Sequence, residues 1–268
     1  MNSVFPDEYE IIDAHTHIFP EAISDKASGA IGDFYGKPMY TSGSPEHLLS
    51  SGRKAGISQY LVCSAATAPH QAASINTFIA QACAEHPEFV GFGTLHPAME
   101  NMEQECERIQ ALGLRGVKLH PDFQQFNIDD RKVWPLYEML EGRLPILMHM
   151  GDDRYTYSRP ERLARVLDMF PRLEVVAAHF GGYMCWQEAK EHLRRPTVKF
   201  DTSSTLPLME AKAARELVRY YGAENMFFGT DFPMWEPQEE LKRFFRLDLT
   251  REENEKILSG NFKAFFKI

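Results

Sequence analysis

The chain has 268 residues, 44% of them hydrophobic and 25% charged, with a formal net charge of −9. These proportions are those of an ordinary soluble globular protein, and the length suits one α/β barrel of about 250 residues. The acidic balance, with no lysine or arginine cluster longer than a pair, argues against a nucleic-acid partner, and no uncharged apolar run nears the roughly 18 residues of a membrane span.

At the N-terminus, MNSVFPDEYE lacks the basic start and apolar stretch of a signal peptide, which predicts a cytoplasmic protein. The first strand is EIIDAHTH, in which Asp13, His15 and His17 alternate and so face one way. Residues 18–50, including ASGAIGDFYGKPMYTSGSP, read as a loop insertion rich in glycine, serine and proline, and as a candidate lid. Strand QYLVCSA then precedes a helix over 70–86, strand FVGFGTLHP a helix over 101–112, and strand RGVKLHP a helix over 130–141. Strand LPILMHMG leads through the loop GDDRYTYSRP to a helix over 160–170 with Pro160 at its start. Strand LEVVAAHFGG is followed by a helix over 186–194, strand TVKFDTSS by a helix over 209–221 ending at Gly222, and strand NMFFGTDFP by a helix over 236–246. The tail opens on a capping box, Thr250 with Glu253.

Strand and helix alternating eight times predicts parallel strands, and hence a single (β/α)8 TIM barrel over residues 1–268, with a doubly wound open sheet as the runner-up. The segments GTLHPAM and GVKLHPDF echo each other, which is weak evidence for an internal repeat. The four cysteines, Cys63, Cys83, Cys106 and Cys185, form no C-x-x-C pair, so isolated buried thiols are expected.

Of the ten histidines, six fall at the C-terminal end of an apolar run: His15, His17, His96, His120, His149 and His179. In a parallel barrel those strand ends share one mouth, where active sites form. Any one of them alone is as readily a satisfied core histidine. Six together, with Asp231 closing the last strand, make a nitrogen and oxygen ligand set suited to zinc, with manganese or iron as alternatives.

The segments DAHTH, GVKLHP, LMHMGD, AAHFGG and GTDFP, with GNFKAFF near the end, resemble in order and spacing the amidohydrolase superfamily. Within it they resemble the amidohydrolase-related (amidohydrolase 2) branch that contains aminocarboxymuconate-semialdehyde decarboxylase. The resemblance implies one divalent metal, zinc first and manganese second, held by His15, His17, His149 and Asp231, with Asp231 and His179 as catalytic groups. A two-metal form bridged by carboxylated Lys118 is the variant of that expectation. TatD-type nucleases and PHP phosphoesterases share D-x-H-x-H but differ at the later strands, and rank lower.

The first functional expectation is a hydrolase acting on a small carboxylate, amide, ester or lactone through a metal-activated water; the second is a non-oxidative decarboxylase. Lys118, His120 and Arg154 are the substrate-binding candidates, with His96 a weaker one and Arg154 equally readable as a salt bridge to Asp152 or Asp153. Phe19, Tyr35, Trp186 and Trp235 could line an aromatic pocket. The partner expected is a small molecule bearing a carboxylate, and analogy with similar barrels suggests a homodimer.

Overall fold

The computed structural model describes residues 9–268. The reading of MNSVFPDEYE as no leader falls almost wholly on residues 1–8, outside the described residues. In chain order the elements begin β1 (Ile12–His17), α1 (Glu21–Tyr35), α2 (Pro45–Ala55), β2 (Gln59–Cys63), α3 (Ala72–Glu85), β3 (Phe89–Gly91), β4 (Gly93–Thr94), α4 (Met102–Ala111), β5 (Val117–Leu119) and α5 (Pro121–Gln124). They continue α6 (Trp134–Leu140), β6 (Ile146–Met148), α7 (Pro160–Met169), β7 (Val175–Ala177), α8 (Trp186–His192) and β8 (Val198–Asp201). The chain closes with α9 (Ala211–Tyr221), β9 (Met226–Phe227), α10 (Pro237–Phe245), α11 (Arg251–Glu255) and α12 (Asn261–Phe266). Each predicted strand is present, the third interrupted at Phe92 into β3 and β4. The order of strand and helix is the one a (β/α)8 barrel requires.

Contacts divide the chain into two compact units. The first comprises the described residues up to Val62, Glu85–Val90 and Thr202–Ile268. In it β1 lies beside the segment after β9: Ala14 N–H donates to Phe228 O at 2.8 Å, Asp231 N–H to His15 O at 2.9 Å and His17 N–H to Phe232 O at 2.7 Å. On its other side β1 is followed by β2, where Ser58 N–H donates to Ile11 O at 2.9 Å and the Thr16 hydroxyl to Leu61 O at 2.7 Å.

The 18–50 segment belongs to this unit and is not the structureless lid expected. α1 occupies half of it, ends at Gly36 in the left-handed region (φ 61°), and buries Ser24, Ser28 and Gly32. Those three small residues, four apart, make a face that a search for apolar periodicity misses. Gly43 N–H donates to Ser28 Oγ at 2.9 Å, and Tyr40 N–H to Pro233 O at 3.0 Å, so the segment is tied down beside the last strand. α2 then starts on Ser44, whose hydroxyl accepts from His47 N–H, with Pro45 in its first turn.

The second unit comprises Cys63–Ala84 and Gly91–Asp201. β4 through β8 pair in sequence order and in parallel, with Val117 opposite Ile146, Ile146 opposite Val175 and Val175 opposite Val198. β5, β6 and β7 are buried along their whole length, as parallel strands covered on both faces must be. α7 begins at Pro160 as expected, and in the first unit the Thr250–Glu253 capping box opens α11.

Candidate metal centre

In the first unit, three of the predicted ligands converge. The alternation of β1 sends Asp13, His15 and His17 to one face, and the Asp231 N–H bond to His15 O sets the last strand's end beside them. His17 Nε2 lies 3.2 Å and His15 Nε2 3.6 Å from Asp231 Oδ1. Ligand atoms about 2.0–2.2 Å from a tetrahedral ion stand about 3.3–3.6 Å apart, so these spacings match the edges of such a shell. The His15 side chain is fully buried, whereas His17 and Asp231 keep 14% and 13% exposed, which leaves the convergence point open to a ligand.

Two of the three, His15 and Asp231, are held from behind. Ser203 Oγ lies 2.9 Å from His15 Nδ1; with the ring proton shared there, the lone pair of Nε2 is left for a metal. The Ser204 hydroxyl donates to Asp231 Oδ2 at 2.5 Å and accepts from the Trp235 indole N–H at 2.9 Å. The buried Asp13 carboxylate accepts from His15 N–H at 3.2 Å, Thr230 N–H at 3.0 Å and the Thr230 hydroxyl at 2.6 Å, so it splices β1 to the last strand. Ser204 (φ 49°) and Asp231 (φ 60°) both adopt the left-handed region, a strained choice for a side-chain-bearing residue that clusters at functional sites. Two imidazole nitrogens and a carboxylate oxygen, with these supports, fit a divalent metal.

The second unit holds its own group of predicted residues. His149 Nδ1 and His179 Nε2 lie 2.9 Å apart, and His120 stacks on His149 with centroids 3.9 Å apart. The His179 backbone, also left-handed (φ 60°), donates N–H to Asp201 Oδ1 at 3.0 Å and accepts the Trp186 indole N–H at 3.1 Å. Asp122, following His120 and Pro121, receives the Ser158 hydroxyl at 2.5 Å and lies 3.6 Å from His149 Nε2. Burial pushes its carboxyl up to about 7, against the opposing pull of the Ser158 bond. Lys118 is wholly buried two residues before His120 on β5.

Arg154 is committed elsewhere. Its Nε and Nη2 donate to the two oxygens of the buried Asp152 at 2.9 and 2.6 Å, the salt-bridge alternative rather than an unengaged clamp. Sequence reasoning missed Ser203, Ser204, Asp201 and Asp122. The signal available was the polar run DTSS closing an apolar strand, where a turn composition hides two partners of the predicted ligands.

A family model described as amidohydrolase matches residues 12–268. An uncharacterised TIM-barrel protein from Bordetella bronchiseptica superposes with a TM-score of 0.80 at 24% identity, covering 96% of this chain and 98% of that one. A dihydroxybenzoic acid decarboxylase from Polaromonas sp. JS666, with bound manganese and the inhibitor 2-nitroresorcinol, gives 0.74 at 16% identity, covering 97% of each chain. A probable 2-pyrone-4,6-dicarboxylic acid hydrolase from Acinetobacter baumannii, with citric acid bound, gives 0.69 at 16%, covering 97% of this chain and 100% of that one. The fold is therefore the (β/α)8 barrel. No helix among the described residues is long and apolar enough to cross a membrane.

Proposed function

Because the chain belongs to the amidohydrolase family, whose model spans residues 12–268, we propose that it is a metal-dependent hydrolase of a small organic carboxylate, amide, ester or lactone. The observation that carries this reading is the convergence of His15 Nε2, His17 Nε2 and Asp231 Oδ1. These three would hold the ion, with His149 as the further ligand that the family's sequence pattern implies. Zinc, or manganese as in the Polaromonas structure, would supply a Lewis acid there, able to polarise a substrate oxygen and to lower the pKa of water.

The protein's own residues do the rest. Asp231 is the proton carrier: Oδ1 faces the imidazoles, and Oδ2, held by the Ser204 hydroxyl, is the oxygen whose basicity that donor tunes. His179 is the second acid–base group, its ring fixed through the contact of Nε2 with His149 Nδ1 and its backbone by Asp201 and Trp186. Lys118 and His120 are proposed to contact the substrate, whereas Arg154 orders its own loop through Asp152.

Non-oxidative decarboxylation is the second reading, favoured by the Polaromonas relative, and it uses the same ligands with Asp231 or His179 giving a proton to the carbon that loses carbon dioxide. Metal analysis of the purified protein, with product analysis on carboxylated aromatics, lactones and amides, tests both. Net water addition supports the hydrolase and carbon dioxide release the lyase. One metal per chain is expected, two would bring Lys118 into the site, and protein that binds none would end both readings.

A further inference from the structure

In the first unit, the turn after the last strand folds back toward its own aspartate. Met234 N–H donates to Asp231 O at 2.9 Å, and Trp235, next in sequence, directs its indole N–H to Ser204 Oγ at 2.9 Å. An indole N–H can only donate, so the Ser204 oxygen accepts there. Its single hydroxyl proton is then left to give away, and two acceptors lie within reach: Asp231 Oδ2 at 2.5 Å and Met234 Sδ at 3.6 Å. A carboxylate oxygen at that distance is a far stronger acceptor than a thioether sulfur. The three groups therefore form a chain with one direction, from Trp235 through Ser204 to Asp231.

The indole that starts this chain is itself fixed from two elements. Lys37, just beyond the Gly36 that ends α1, places Nζ 5.6 Å from the Trp235 ring centroid, and Arg243 on α10 places Cζ 5.7 Å from it. Both lie within the roughly 6 Å at which a cation is attracted to an aromatic face. A cation there also draws electron density from the ring and makes its N–H a better donor. Arg243 is tied in turn to Glu240 Oε1 at 2.5 Å. The segment that carries Lys37 is tied to the same turn, where Tyr40 N–H donates to Pro233 O at 3.0 Å and the Tyr40 hydroxyl to Glu236 Oε1 at 3.5 Å.

We propose that Trp235 is a positioning residue for Asp231, acting through Ser204: its N–H commits the Ser204 proton to Oδ2, which holds the carboxylate with Oδ1 toward His15 and His17. The assignment rests on the proposed function's reading of Asp231 as a metal ligand. A carboxylate with one oxygen pinned presents the other at a fixed place, whereas one that swings must be ordered when the ion arrives. Without the indole donor, the Ser204 hydroxyl regains its rotation and its proton can pass to Met234 Sδ, away from Oδ2. Trp235 thus acts from two hydrogen bonds behind Asp231. Residues 37–40, expected within a lid, brace the ring that does so.

A cycle of four full-length proteins tests this: the parent, Trp235→Phe, Ser204→Ala and the double variant, each titrated with zinc against a chromophoric chelator. Phenylalanine keeps a ring for Lys37 and Arg243 and removes the donor. Trp235→Phe is expected to weaken zinc binding about fivefold, and Ser204→Ala about tenfold or more. In the Ser204→Ala background, Trp235→Phe is expected to cost less than about twofold, because the residue it acts through is gone. A packing role would give the same loss in both backgrounds. Nitrogen-15 spectra supply a second readout, since the chain has three tryptophans and the indole signal absent from Trp235→Phe belongs to Trp235. That signal is expected to move when zinc is added to the parent, and to be displaced in zinc-free Ser204→Ala. Parent-like zinc affinity in Trp235→Phe, an equal loss in both backgrounds, or an indole signal that ignores zinc and Ser204→Ala would each overturn the assignment and leave the metal reading intact. A parent that binds no zinc also overturns it, and if the parent binds no manganese either, the metal reading falls as well. A protein that binds zinc with this coupling yet turns over nothing loses the proposed function and keeps the role of Trp235.

Discussion

Ser203 Oγ meets His15 Nδ1 at 2.9 Å across 188 residues of sequence. A hydroxyl in that position fixes which ring nitrogen faces the ligand side and in what orientation. Ser203→Ala is therefore expected to lower metal affinity by about 10–100-fold, the usual effect of losing a partner behind a ligand, while leaving the far-ultraviolet circular dichroism unchanged. Competition against a chromophoric chelator measures it, and parent-like affinity would show that the serine does not orient the ring.

Asp231→Asn removes the charge that His15 and His17 face and the proton acceptor proposed at Oδ2. Loss of about 10²–10⁴ in kcat is expected with whichever substrate the product screen identifies. Metal content should fall with it. A variant that keeps both turnover and metal would remove Asp231 from the chemistry.

Asp13→Asn addresses stability. The Asp13 carboxylate receives three hydrogen bonds from His15 and Thr230, and an amide in its place points its own N–H groups at one or more of those donors. The expected loss is about 2–4 kcal/mol, read as a drop of roughly 5–15 °C in Tm. A melt within 2 °C of the parent would be incompatible with the splice described.

Glu240 on α10 gives a pH dependence. It is buried, Oε2 has no hydrogen-bond partner, and Arg243 reaches only Oε1 at 2.5 Å. Burial raises its pKa from 4.5 to about 8, outweighing Arg243. A group whose folded pKa is raised contributes stability that is full below the unfolded value and is lost as pH rises toward the folded one. Between pH 5 and 8 the parent should therefore lose stability relative to Glu240→Gln, by about 1–4 kcal/mol at the upper end. Urea denaturation of both proteins at pH 5 and pH 8 measures the difference, in which other titrating groups cancel. A gap equal at the two pH values would mean that Glu240 ionises normally.

The strands and most helices were legible because their apolar spacing is strong: the expected 160–170 helix is Pro160–Met169 and the expected 236–246 helix is Pro237–Phe245. His15, His17 and Asp231 were legible because alternation on one strand and a closing carboxylate are one-dimensional signals. α1 was not, since its buried face is Ser24, Ser28 and Gly32, which carry no hydrophobic signal and pack by being small. Nor were Ser203 and Ser204, whose partners lie 188 and 27 residues away along the chain. Hydroxyls at a strand end look alike whether they face water or a ligand.

The ligand trio also has an order in time. His15 and His17 leave the ribosome well before Ser203, which follows His15 by 188 residues, and before Thr230 and Asp231 beyond it. Until then two neighbouring imidazoles make a weak chelate with nothing behind them. A product cut short before Asp231 carries half of the proposed centre, so a firmly bound ion would certify that synthesis had passed Asp231 and that β1 had met the segment after β9.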